Sequence, residues 1–182
     1  MSNIKKLVLT AMFIAIGVVL PMAFHTIPGA GGIFLPMHIP VLLAGIILGF
    51  PFGFACGVLT PLLASFITGM PPLGILPPMM FELAAYGTVS SLLMHLGKTK
   101  NIYLRIYLSL LGAMLIGRII FGILNAFIFS VGEYSMQIWV TAAFITALPG
   151  IIIQIVLIPP VVIILQKARL IELDSKAPRL NT

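Results

Sequence analysis

From residue 33 to residue 96 the chain carries no lysine and no arginine, and its one acidic residue there is Glu82. A run of that length is too long for one or two membrane crossings; at ~20 residues per crossing it holds about three. A soluble fold could not cover so much apolar chain, because the surface left over would be apolar too. Across the whole sequence 60% of residues are hydrophobic and 8% are charged, against ~25% charged in an ordinary soluble domain. These values exclude a soluble enzyme. They also exclude a nucleic-acid binder despite the formal net charge of +6, since no polar surface remains to carry a basic patch. The runs are apolar on all sides, which argues against a β-barrel, whose strands alternate. Cys56 is the single cysteine, so there is no disulfide framework, and it reads as a small packing residue.

The breaks between apolar runs predict six spans, near residues 7–24, 36–50, 52–69, 77–96, 106–129 and 139–165. The first is longer than the apolar core of a signal peptide and lacks a following A-x-A site, so it reads as a retained helix. Residues 25–32 (HTIPGAGG) read as a turn. Gly45, Gly49, Gly53 and Gly57 recur every four residues, but Pro51 interrupts them. They read as a tight hairpin between the second and third spans.

With the N-terminus in the cytoplasm, Lys5 and Lys6, then Lys98, Lys100 and Arg105, then Lys167, Arg169, Lys176 and Arg179 all fall on one side. The opposite loops carry no lysine or arginine. This is a positive-inside distribution. It predicts an all-α, polytopic bundle of six transmembrane helices with both termini cytoplasmic. Residues 1–182 form one transmembrane domain, with a polar tail at 167–182.

Two charged residues remain inside the hydrocarbon, Glu82 and Arg118, where each costs several kcal/mol unless paired or hydrated. At 1.5 Å per residue Arg118 lies roughly 18 Å from the cytoplasmic end of its helix, and Glu82 roughly 6 Å below the outer surface. Both then sit in the outer half. Arg118, Gly122 and Asn125 share one helix face, as do Glu82 and Tyr86. Gln154 is the strongly polar side chain in the middle of the last span. Two readings stand for Glu82 and Arg118: a structural ion pair between helices, or groups facing a polar cavity open to the outside. Trp139 reads as an interface anchor or a ligand contact. His38, between Pro36 and Pro40, reads as a polar loop residue or a contact in a lid over the pocket.

Ala11 and Ala15 form a small-xxx-small pair that permits close helix approach. The sequence has no G-x-x-x-x-G-K-[ST], H-E-x-x-H or G-x-S-x-G motif and four acidic residues in all. It therefore offers no nucleotide-hydrolysing loop, no metal site and no expected cofactor. Without an internal repeat it does not read as an inverted-repeat carrier. It reads as a binding subunit that borrows its energy source, with a membrane-embedded enzyme or a stand-alone small carrier or channel as the competing class.

The alanine pair, the stretch from Leu35 to Gly45 (LPMHIPVLLAG), the Gly49–Gly53 turn (GFPFG) and the run from Thr60 to Pro72 (TPLLASFITGMPP) resemble the substrate-binding S components of energy-coupling factor vitamin transporters. The resemblance covers nearly the whole chain except the tail. It implies a small-molecule vitamin as ligand and a bacterial plasma-membrane location. It also implies a membrane T component docked on Ala11 and Ala15, two cytoplasmic ATPase subunits, and no nucleic acid. The vitamin would lie near the outer face, among the fourth to sixth helices and the loops after the first, third and fifth. The expected pocket residues are Glu82, Tyr86, Arg118, Asn125, Gln154, His38 and Trp139. A buried arginine favours an anionic ligand, so pantothenate is the expected vitamin; Glu82 keeps pyridoxine and hydroxymethylpyrimidine open.

Overall fold

The structure, a computed structural model, describes residues 1–24, 27–97, 99, 101–171 and 173. Lys98, Lys100, Lys176 and Arg179 of the expected cytoplasmic segments lie outside the described residues.

Among the described residues the secondary structure is helical throughout. Helix α1 (Asn3–Met22) begins at Ser2, whose hydroxyl accepts from the Lys5 amide at 3.3 Å; this cap sets the start four residues before the expected span. Helix α2 (Ala30–Phe34) is short, so part of the segment expected to be a turn is helical. Helices α3 (His38–Leu48) and α4 (Phe52–Thr68) form the expected hairpin. The turn between them needs Gly49, whose φ is +79°. A Cβ on Gly53 would meet the Gly45 Cα at 2.7 Å, so the glycines bring the two backbones together.

Helix α5 (Leu76–Leu96) packs against α3, α4 and α6. Helix α6 (Ile102–Leu124) starts at an Asn101 cap, whose side-chain oxygen accepts from the Tyr103 and Leu104 amides at 3.0 and 3.4 Å. It runs on as a π-helical turn, Asn125–Phe129.

The expected last span is not one helix. It divides into α7 (Met136–Val140) with a π-helical continuation (Thr141–Thr146), and α8 (Leu148–Lys167). The physical reason is Pro149, which has no amide to donate and whose ring conflicts with the preceding turn of a continuous helix. The tail also differs from expectation. Beyond α8, Ile171 and Leu173 are buried, and the Leu170 carbonyl accepts from Lys5 Nζ at 3.0 Å. The end of the described chain is thereby tied to the start of α1.

Helix α3 lies at the centre and, apart from its first residue His38, is apolar all round, as an enclosed helix must be. By contrast Leu7, Phe66, Phe127 and Val156 stand exposed on the outside of the bundle. Four stretches are long and apolar enough to cross a membrane: Asn3–Met22, Ala30–Leu48, Ile102–Phe129 and Leu148–Lys167. Apolar side chains outside as well as inside are what a multi-pass membrane protein presents to lipid.

Candidate functional site

Four polar side chains from three helices meet inside this apolar bundle. Glu82 and Tyr86 stand one turn apart on α5, and the Tyr86 hydroxyl donates to Glu82 Oε1 at 3.1 Å. The same carboxylate oxygen lies 3.4 Å from an Arg118 terminal nitrogen, Nη1, on α6. The second oxygen faces His38 Nε2 on α3 at 3.9 Å. The His38 ring also meets Tyr86 edge-on, with centroids 5.3 Å apart. Glu82 is 2% exposed and Arg118 8%, so their charges compensate each other where water cannot.

The sequence folds this way locally because small residues make room for large polar ones. Gly117 is where the Tyr86 ring fits against α6, and Gly122 is where the Trp139 indole fits. Trp139 Nε1 donates to the Arg118 carbonyl at 3.0 Å. Trp139 therefore joins α7 to the turn of α6 that carries the charge, which goes beyond anchoring at the membrane interface. His38 is likewise no loop residue; it is the first residue of α3 and is buried.

The expected pocket residues divide into two groups. His38, Glu82, Tyr86 and Arg118 form one cluster, and Trp139 is bonded to its edge. Asn125 lies on the same buried face of α6, with its amide donating to the Phe121 carbonyl at 2.8 Å. Gln154 is fully buried and makes a long 3.5 Å contact to the Leu35 carbonyl. It thus ties α8 to the segment between α2 and α3, where Leu35 adopts a left-handed φ of +51°. Ala11 and Ala15 lie elsewhere, exposed on α1, while Thr10, Phe13 and Gly17 face inward.

Several buried polar atoms in this region have no hydrogen-bond partner: both His38 ring nitrogens, Arg118 Nη2, Gln154 Oε1 and the Tyr134 hydroxyl. Unsatisfied buried polar groups are costly in a folded protein, and a ligand is one thing that satisfies them. Tyr134 was not singled out from the sequence, where it appears only inside a Gly-Glu-Tyr-Ser turn. Burial and the nearby Glu82 carboxylate raise its phenol above the usual tyrosine value. An aromatic residue in the loop that follows the helix carrying Arg118 is the available signal.

No curated protein and no solved structure matches the chain. A family match spans residues 5–162, which include every residue of the cluster. The chain belongs to the family described as ECF transporter, substrate-specific component.

Proposed function

We propose that this protein is the high-affinity vitamin-binding subunit of an ATP-driven importer in a bacterial plasma membrane, and that its substrate is pantothenate. The observation that carries the reading is the state of Arg118. Glu82 engages one terminal nitrogen of the guanidinium, while the other is buried without a partner. A ligand carboxylate satisfies that nitrogen through a charge-assisted bond, which is strong in a dry site. Asn125 keeps its side-chain oxygen for a ligand hydroxyl or amide, and Gln154 Oε1 is similarly available. Tyr86 holds the Glu82 carboxylate in place through its hydroxyl.

A second reading within the family has its own support. Glu82 and His38 face each other at 3.9 Å, with Tyr86 beside them. A carboxylate flanked by aromatic rings suits a protonated heteroaromatic ligand, so pyridoxine and hydroxymethylpyrimidine are the alternatives.

In this proposal the chain crosses the membrane six times with both termini cytoplasmic. Helices α4 and α5 supply the two crossings beyond the four long apolar stretches. A T component docks on Ala11 and Ala15, and two cytoplasmic ATPases drive release. The test is to purify the protein in mild detergent and identify the co-purifying small molecule by mass spectrometry. Calorimetry with pantothenate, pyridoxine and hydroxymethylpyrimidine then follows. Pantothenate as the tight ligand supports the assignment. Binding of one of the other two replaces the vitamin but keeps the role, and binding of none removes the proposal.

A further inference from the structure

The proposed binding site has an apolar side that none of the expected pocket residues except Trp139 describes. A groove of about 330 Å³ opens beside Trp139, the residue that bonds the Arg118 carbonyl; it is at the small end of the ~300–1,000 Å³ typical of small-molecule sites. Gly122, Ile123 and Ala126 of α6 and its continuation form one wall, and Met136 and Trp139 of α7 form the other. Tyr134 also lines it, and its hydroxyl is buried without a partner. A buried tyrosine hydroxyl ordinarily finds one.

The backbone holds Tyr134 in this position. The Glu133 and Tyr134 amides both bond the Ser130 carbonyl at 3.1 Å, and Gly132 turns the chain with a φ of +83°. Ser135 then caps α7 by accepting from the Ile138 amide at 3.3 Å. Tyr134 is thus fixed between two anchored ends. On the next element Trp139 bonds the carbonyl of Arg118 itself.

We propose that Tyr134 is a specificity-determining residue: its hydroxyl donates to the polar end of the transported molecule held at Glu82 and Arg118, while the molecule's apolar end lies in the groove beside Trp139. The inference rests on the reading of this chain as a vitamin-binding subunit. Tyr134 lines the same groove as Trp139, whose indole bonds the Arg118 carbonyl, and its phenol stays protonated at neutral pH because burial and the Glu82 carboxylate both disfavour the phenolate. Tyr134 and Arg118 therefore both offer donors, and they select an acceptor-rich end such as a carboxylate or hydroxyl group. The groove walls suit a compact branched aliphatic or planar ring portion. The ligand class is a small amphiphile with its acceptors at one end.

The test uses calorimetry on the purified protein with pantothenate and its alcohol analogue pantothenol, and with pyridoxine and 4-deoxypyridoxine. Tyr134→Phe removes one hydrogen bond, which costs roughly tenfold in affinity. The loss is expected for the vitamin that binds, with a smaller loss for its analogue, in which a weaker acceptor or a methyl group replaces the polar group, and an unchanged thermal midpoint. A purely structural tyrosine would not change the ratio between vitamin and analogue. Ile123→Trp, at an exposed position on the groove wall, fills the groove and is expected to weaken the same ligand by tenfold or more while Glu82 and Arg118 are intact. Wild-type binding with unchanged affinity in both variants overturns the inference and leaves the parent reading standing. Failure of the wild-type protein to bind any vitamin overturns both.

Discussion

The ring of Tyr86 on α5 occupies the space that the absent side chain of Gly117 leaves on α6. The contact lets α5 and α6 approach until Glu82 and Arg118 pair at 3.4 Å. A methyl group at position 117 would collide with the ring and come within 3.1 Å of the Glu82 carbonyl. Overpacking of this kind costs about 1–3 kcal/mol. Gly117→Ala is therefore expected to lower the thermal midpoint in detergent and to weaken vitamin binding together. The paired variant Gly117→Ala with Tyr86→Leu, which removes the obstructing ring, is expected to recover the midpoint. A single variant as stable as the wild type would show that the helices do not need this contact.

The outer face of α1 gives a different expectation. The helix turns Thr10, Phe13 and Gly17 inward and leaves Ala11 and Ala15 exposed. Gly17, not the alanine pair, is the close-contact residue inside the chain, since a Cβ there would collide with Thr60. The alanines are therefore free for another helix, and small residues let a partner approach closely. Ala15→Trp is expected to abolish copurification with the T component and uptake by the assembled transporter. Vitamin affinity of the isolated subunit should stay within about twofold, because the residue lies on another face from the cluster. Normal uptake by this variant would exclude α1 as the docking helix.

Topology is checked by labelling. Ser135 caps α7 and is exposed, as is Ser2, which caps α1. The native Cys56 is buried, and Cys56→Ala supplies a cysteine-free background. In that background Ser135→Cys should react with a membrane-impermeant maleimide added to intact cells, and Ser2→Cys should react only after lysis. Labelling of Ser2→Cys in intact cells would invert the proposed orientation.

The all-helical class and the shared helix faces are legible in the sequence because they depend on local period and on the cost of burying polar groups. Glu82 with Tyr86, and Arg118 with Gly122 and Asn125, follow from helical spacing alone. The α3–α4 hairpin follows from Gly49 and the proline after it. Other features depend on contacts that spacing does not encode. Pro149 divides the expected last span, whereas Pro159 and Pro160 lie inside α8 without ending it; the same residue type gives opposite outcomes. His38, between two prolines, reads as a loop residue or a lid contact, yet α3 begins there and places it against Glu82. Tyr134 gained meaning only when the turn at Gly132 set it beside the groove. Ile171 and Leu173 lie in a segment that reads as polar tail, and their burial depends on the chain returning to α1.

The Glu82–Arg118 pair carries the last prediction, since its two possible roles differ in what mutation does. If Arg118 meets a ligand charge directly, Arg118→Met removes a buried, hydrogen-bonded charge partner and costs about 2–5 kcal/mol of affinity. Glu82→Gln, which keeps the shape and loses the charge, would then alter binding less than Arg118→Met does. If the pair serves only the fold, either single variant leaves an uncompensated buried charge and loses stability. The double variant Glu82→Gln with Arg118→Met would then restore both the midpoint and the affinity, because no unpaired charge remains. Calorimetry and thermal unfolding on the two single variants and the double variant separate these outcomes. The proposed role of Arg118 requires that the double variant fold normally and still bind pantothenate at least tenfold more weakly than the wild type. Wild-type affinity in that variant would refute it.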